Sequence, residues 1–226
     1  MQRQIFIDSK GYILESDTNY LGAMSDHFEP DTLAVFKNFC QEDFRVLDLG
    51  ANLGLTAIAL ADICKKGKVI AVEPVPMTFD FLEKNLLNSG LNNIKAYNFA
   101  VGNKAATILM QARSAFLAGA FIADAYTSET QDISVKVPIK TLDEVFDSFQ
   151  IDRVDFIKLD VEGYELFALE GAKEILNRFK PIVYLEMNHW CLNIMQRICL
   201  PEFRERLLAI FPYVYAVDGT SYLDFR

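Results

Sequence analysis

The residues best suited to chemistry gather at the ends of short apolar runs. The run Phe44-Arg45-Val46-Leu47-Asp48-Leu49 leads into Gly50-Ala51-Asn52-Leu53-Gly54, after which Leu55-Thr56 begins a helix-forming stretch. Glycine at such a turn tolerates φ > 0 and lets a ligand approach the backbone. The new helix presents fresh N–H groups at its start. Further runs deliver Glu73 and Pro74, then Asn98 and Ala100, then Asp160 and Glu162, and finally Glu186, Asn188 and His189. Random surface placement would scatter these polar groups. Their recurrence after apolar runs predicts one crevice beyond the carboxyl ends of parallel strands.

Spacing narrows the ligand. Glu73 follows the glycine turn by about twenty residues, the distance at which an acid accepts from both hydroxyls of a ribose. The turn is not G-x-G-x-x-G, because Asn52 stands at the middle glycine. Asp48 just ahead of it would repel phosphate and suits a cationic group. A sulfonium cofactor with an amino-acid tail and an adenosine head therefore fits better than a dinucleotide.

The elements that must position these residues alternate between strand and helix. A small hairpin is expected over Ile5–Leu14, turning at Ser9-Lys10-Gly11, and a helix over Thr32–Phe39. Strands are expected at Arg45–Leu49, Lys68–Val72, Ile94–Phe99, Val154–Leu159 and Pro181–Leu185, with helices between them. Thr107–Met110 and Ile133–Ile139 are further strands, whereas Gln111–Asp132 has a weak pattern and is expected as a surface excursion. Thr141-Leu142-Asp143-Glu144 fits a capping box. A closing hairpin is expected around Asp218-Gly219-Thr220. The whole is an α/β chain of one domain: residues 1–43 form an N-terminal hairpin and lid helix, and residues 44–226 the cofactor-binding domain.

Composition sets outer bounds. Of 226 residues 51% are hydrophobic and 23% charged, which predicts a globular chain with a sizeable core. A formal charge of −9 argues against nucleic acid as a partner. Cys40, Cys64, Cys191 and Cys199 show no zinc-like spacing and read as reduced thiols. No apolar run approaches membrane-spanning length and Met1–Glu15 has no signal-peptide core, so a cytoplasmic location is expected.

Several of these stretches together resemble a known family. Val46–Gly54 is similar to motif I of the S-adenosylmethionine-dependent methyltransferases. Phe28-Glu29-Pro30, Val72-Glu73-Pro74, Asn98-Phe99-Ala100-Val101-Gly102, Thr141-Leu142-Asp143 and Leu169-Glu170-Gly171-Ala172 resemble the FkbM family of that class. The most specific match is Phe156-Ile157-Lys158-Leu159-Asp160-Val161-Glu162-Gly163-Tyr164-Glu165. The resemblance implies a Rossmann-like class I methyltransferase: a three-layer αβα sandwich around a seven-stranded, mostly parallel sheet with an antiparallel C-terminal hairpin. It also implies methylation of a hydroxyl oxygen on a sugar, polysaccharide, lipid or secondary metabolite, with S-adenosyl-L-methionine as cofactor. By position, Gly50, Ala51, Asn52 and Gly54 would wrap the methionine part, with Asp48 near its amino group. Glu73 would hold the ribose, Pro74 would flank the adenine, and Asn98 with Ala100 would close the adenine side.

An alcohol is a weak nucleophile, so a base near its proton helps. Asp160 and Glu162 are the first candidates, with Glu186 and His189 beside them. Lys158 reads as a partly buried strand residue, and Tyr20 as a residue that could lie over the cofactor. Asp160, Glu186 and Asn188 also resemble the oxygen ligands of catechol-type O-methyltransferases, which makes Mg2+ a second expectation. The expected partner is a small-molecule or glycan acceptor, with no nucleic acid and no membrane span, and a homodimer is the candidate assembly. Two other readings stand beside this one: a catalytically inactive fold serving as a scaffold, and a nucleotide-linked oxidoreductase.

Overall fold

A computed structural model describes residues 1–113, 116–122, 133–218 and 221–225. A hairpin of β1 (Gln2–Ile7) and β2 (Lys10–Glu15) precedes α1 (Thr18–Ala23) and α2 (Pro30–Phe39). Then come β3 (Arg45–Leu49), α3 (Leu55–Ile63), β4 (Lys68–Val72), α4 (Pro76–Ser89) and β5 (Ile94–Tyr97). A short β6 (Ala100–Val101) leads to β7 (Ala106–Arg113), β8 (Phe116–Ile122) and β9 (Ile133–Lys140). Next are α5 (Leu142–Val145), a 3-10 turn over Phe146–Phe149, β10 (Phe156–Leu159), α6 (Glu165–Glu170), α7 (Lys173–Phe179) and β11 (Ile182–Leu185). A π-helical segment at Cys191–Met195, α8 (Leu200–Ile210) and the strands β12 (Tyr215–Asp218) and β13 (Ser221–Asp224) follow. Among the described residues no helix is long and apolar enough to cross a membrane.

The central sheet is parallel, in the order β11-β10-β3-β4-β5. Successive side chains on a strand point to opposite faces, and both faces here are apolar. Val46, Val69, Ala71 and Phe156 join a core with the N-terminal hairpin and α2, α3 and α4. Leu47, Leu49, Ile70, Val72, Ile157 and Leu159 join a second core with α5 to α8. Helices thus cover both faces, as expected for a parallel sheet. The chain leaves β3 for β4 and β5 on one side and later returns to place β10 and β11 on the other. That reversal opens a crevice beyond the ends of β3 and β10.

Several expectations are corrected. Among the described residues the parallel sheet has five strands, not seven: β12 and β13 pair only with each other. A hairpin pairs the inward-facing backbone groups of its two strands locally, and its outer edges can face water, so its sequence does not dictate that it join a larger sheet. The stretch from Gln111, expected as a loop, begins as strand, with β7 pairing β8 and β9 in a second sheet of order β6-β9-β7-β8. The well-alternated β9 supplies the partner that the weak local pattern did not reveal. The remainder of that excursion, residues 123–132, and the closing turn at Gly219-Thr220 lie outside the described residues. The first hairpin turns one step earlier than expected, with Ile7 paired to Lys10 and Asp8 at φ +56. Gly90 caps α4 at φ +70 and the Thr141 hydroxyl accepts from Glu144 N–H at 3.2 Å, both as read.

The N-terminal segment shares the central core. Ile5, Ile7, Leu14, Leu21 and Phe36 belong to the same apolar cluster as Val46 and Phe156. Asn85, fully buried on α4, donates to Leu53 O and Glu15 O and so ties the glycine turn to the hairpin. Phe36 stands edge-on to Phe156 and Tyr184, with ring centroids 6.0 and 5.8 Å away. Truncating Phe36 to alanine should lower unfolding free energy by about 3–5 kcal/mol, read by urea denaturation. A loss under about 1 kcal/mol would mean that α2 is not part of the cooperative core.

Candidate functional site

The glycine turn is shaped by what lies beneath it. Gly50 and Ala51 both donate their N–H to Val72 O, at 2.9 and 3.0 Å. Gly50 sits at φ +80, and a Cβ there would lie 1.8 Å from the Asp160 carbonyl oxygen. Only glycine lets the end of β3 pass so close to the end of β10. Asn52, also left-handed at φ +48, donates its N–H to Glu73 Oε2 at 3.0 Å. Its side-chain Nδ2 contacts the Tyr20 hydroxyl of α1 at 3.1 Å. Gly54, at φ +91, starts α3 and donates to Ala51 O.

Below the turn lies a buried charge cluster. Lys158 of β10 and Asp48 of β3 are direct cross-strand partners and so project on one face. The Lys158 ammonium donates to Asp160 Oδ2 at 3.1 Å and Gly50 O at 3.2 Å, and lies 3.7 Å from Asp48 Oδ1. Asp48 Oδ2 accepts from the Thr56 hydroxyl at 2.7 Å. Burial opposes the Lys158 charge, yet Asp48 and Asp160 outweigh it and hold its pKa above the ordinary lysine value. Burial pushes the Asp48 carboxyl up, and Lys158 and Thr56 pull it back. We take the pair as ammonium and carboxylate, since Lys158 has two anions and a carbonyl about it.

Glu73 closes the other side. It is buried, and its two oxygens accept from Asn52 N–H and from Val75 N–H at 2.9 Å. Burial pushes its pKa up to about 7 against those two bonds. Asn98 donates from Nδ2 to Glu73 O at 2.8 Å and Pro74 O at 3.0 Å, which anchors the end of β4.

The loop after β10 carries the remaining acids. Glu165, fully buried at the start of α6, accepts from Val161 N–H and Gly163 N–H through Oε1, each at 3.1 Å. Burial pushes its pKa up to about 7. Glu162 is half-buried and its pKa is raised, chiefly by burial. Glu186 is exposed at the end of β11, and its pKa is raised first by Asp160, then by burial and Glu162.

A cleft at this crevice is lined by Gly50, Asn52, Glu73, Pro74, Ala100, Asp160 and Glu162 of the expected residues. Phe99, Val101, Met110 and Tyr164 supply apolar walls that the reading of the sequence did not assign. Asp48, Ala51, Gly54 and Asn98 support this lining rather than form it: Asp48 and Ala51 are sealed below the turn, and Asn98 acts through the carbonyls of Glu73 and Pro74. Glu186 and His189 are exposed and outside the lining. Lys158 is the buried strand residue it was read as, but its place in the ion cluster was not foreseen, and Glu165 was missed. A lysine amid Phe156-Ile157-Leu159 and a second acid shortly after Glu162 were the available signals. Magnesium does not fit: among the described residues no three His, Cys, Asp or Glu side chains converge as a metal site. The Lys158 ammonium already stands against Asp160, where such an ion would go.

The family model described as the methyltransferase FkbM domain matches residues 48–210. Methyltransferase sdnD of Sordaria araneosa is 27% identical over 156 residues, covering 57% of this chain and 60% of that protein. Hexuronic acid methyltransferase AglP of Haloferax volcanii is 28% identical over 153 residues, covering 66% of this chain and 58% of the relative. The chain thus spans about three-fifths of the length of these relatives. Among solved structures, methyltransferase FkbM from Methylobacillus flagellatus KT superposes with a TM-score of 0.55 at 18% identity, over 81% of this chain and 43% of that one. Precorrin-6y C5,15-methyltransferase from Geobacter metallireducens gives 0.50 at 15% identity, over 84% and 75%. These two likenesses bear on the fold.

The buried acids have a consequence for stability. Glu73 and Glu165 titrate near 7 when folded, against an ordinary 4.5. Between those values the folded chain binds more protons than the unfolded one, so their contribution is greatest in acid and falls as pH rises through 7. Glu165→Gln removes one of the two groups. Its unfolding free energy should decline less steeply than wild type between pH 5 and 7, by about 2 kcal/mol across the window. Parallel slopes in urea titrations would contradict the raised value.

Proposed function

The chain belongs to the FkbM methyltransferase family, and from that premise we propose that it transfers a methyl group from S-adenosylmethionine to an oxygen of a small hydroxylated acceptor. The observation that carries this reading is the polarity of the glycine turn. The N–H groups of Gly50, Ala51, Asn52 and Gly54 are spent inside the chain, on Val72 O, Glu73 and Ala51 O. A pyrophosphate would need such donors. What the turn leaves over is acceptors: Asn52 Oδ1 is buried and has no hydrogen-bond partner among the described residues, and the Glu73 carboxylate lines the cleft, whereas Asp48 Oδ1 already faces the Lys158 ammonium at 3.7 Å. Acceptors in need of donors suit an ammonium group and ribose hydroxyls, and they argue against a nicotinamide dinucleotide.

The cofactor would supply a methyl group already activated on a positive sulfur. Asn52 would serve its amino-acid end, with Asp48 beneath the turn, and Glu73 its ribose, each oxygen of Glu73 keeping a second lone pair beyond the backbone bond it accepts. Pro74, Phe99, Ala100, Val101 and Met110 offer apolar surface for the base. What remains for the chain is to align the acceptor oxygen, exclude water and receive a proton. Asp160 and Glu162 line the cleft for that last role. Asp160 is bonded to Lys158, and Glu186 and His189 are exposed and outside the lining. The relative from Haloferax volcanii is named for a hexuronic acid. A sugar acid offers only oxygen nucleophiles, which supports O-methylation of a sugar-like acceptor here.

Calorimetric titration tests the cofactor. The wild-type chain should bind S-adenosylmethionine and S-adenosylhomocysteine and not NADH. Glu73→Gln should weaken both by about ten- to a hundredfold, the loss of a charge-assisted hydrogen bond. Absence of binding by a folded sample would end this reading. Transfer of labelled methyl to hexuronic acids and hexoses then surveys the acceptor.

A further inference from the structure

Glu162 is held by an arrangement that cofactor binding does not require. Its backbone is left-handed at φ +52, a region that disfavours residues with a side chain and is retained where the surroundings impose it. Glu165 imposes it from below, through the N–H groups of Val161 and Gly163. Gly163, at φ +92, lies so close to Cys191 that a Cβ there would be 2.9 Å from Cys191 Cβ. The loop after β10 is therefore seated on the segment after β11.

The side chain is held as firmly. Asn188 Nδ2 and Cys191 Sγ both donate to Glu162 Oε2, at 3.0 and 3.3 Å. The orientation of the Asn188 amide is itself set, because its Oδ1 accepts from Cys191 N–H at 3.1 Å. Its NH2 must then face Glu162. Cys191 opens the π-helical segment, a geometry that adds a residue to a helical turn and is frequent at functional sites. Burial and the neighbouring Glu162 push the Cys191 pKa up to about 12, so it serves as a thiol donor at neutral pH. With two donors on Oε2, Oε1 is the oxygen available to a ligand in the cleft that Glu162 lines.

We propose that Asn188 and Cys191 are positioning residues for methyl transfer, fixing the Glu162 carboxylate so that Oε1 receives the proton of the acceptor hydroxyl. This rests on the methyltransferase reading above. The acceptor O–H bond breaks towards Oε1, the oxygen pair forms the new O–CH3 bond, and the methyl–sulfur pair leaves with the sulfur as a neutral thioether. The titratable groups around Glu162 are Lys158 and Asp160 from the end of β10, Glu165 from α6, and Glu186 and Cys191 from the segment after β11. Burial raises the Glu162 pKa, Asp160 raises it further, and Cys191, Asn188 and Lys158 lower it.

The test is a carboxylate titration by NMR on the full chain labelled with 13C at the glutamate side-chain carboxyl, with Glu162→Gln identifying the resonance. Cys191→Ala and Asn188→Ala should each move the Glu162 midpoint upward by ~0.4–1 pH unit, since each removes a donor to the charged form. Cys191→Ser should move it downward, a hydroxyl being a stronger donor than a thiol. Opposite signs at one position are not expected of a residue that only fills space. Unchanged midpoints, or shifts of one sign for both Cys191 variants, overturn the assignment. Where an alanine variant does not fold, Cys191→Ser decides, and a midpoint at or above wild type overturns it. Calorimetry with S-adenosylhomocysteine runs alongside. If wild type fails to bind it, the methyltransferase reading falls, whichever way Glu162 titrates.

Discussion

One ammonium group holds the centre of this molecule together. Lys158 is buried where β3 and β10 end, and it bonds Asp160 and the Gly50 carbonyl while facing Asp48. Taking a lysine out of water is costly, and the cost is met only if anions and carbonyls surround the charge. Each of those partners belongs to a different part of the crevice: Asp48 to the end of β3, Gly50 to the glycine turn, Asp160 to the loop after β10. Thr56 extends the cluster into α3 through Asp48. Removing Lys158 would leave the buried Asp48 carboxylate without its counter-ion, at about 3–5 kcal/mol. The cluster therefore ties the glycine turn to the acidic loop.

Around it the division of labour is plain. Both faces of the parallel sheet are apolar and covered by helices, so polar groups can collect only where strands end. The strand order reverses between β3 and β10, and there the crevice opens. The turn spends its N–H groups internally, and Asn52, Glu73, Asp160 and Glu162 line the cleft with acceptors. Two further acids, Glu73 and Glu165, are buried to organise backbone N–H groups. Their raised pKa values are the electrostatic cost of holding turns that glycine and left-handed residues make possible.

What was legible in the sequence followed from local rules. The strands Arg45–Leu49 and Lys68–Val72 were bounded correctly because apolar runs end at Gly50 and at Glu73-Pro74. The α4 stop at Gly90 and the Thr141 cap are short-range chemistry. The first hairpin slipped by one step because Asp8 adopts φ +56, which its residue type permits but does not demand. The start of the Gln111 excursion was hidden because a strand with a poor pattern is specified by its partner, and β9 lies beyond it in sequence.

The candidate site divides along the same line. By itself the sequence determined the α/β class, the glycine turn, and the acids delivered at strand ends. These depend on residue type and spacing within one βα unit, where the physics is local. Only the tertiary structure decided that Lys158 is the internal counter-ion, because that role requires the register of β10 against β3. It also decided that Glu165 caps backbone rather than facing the cleft, and that Asn188 and Cys191 reach back to Glu162 from the next strand's end. Those are contacts between segments distant in the chain. Their energies depend on burial and on the direction of individual hydrogen bonds, which no linear pattern records.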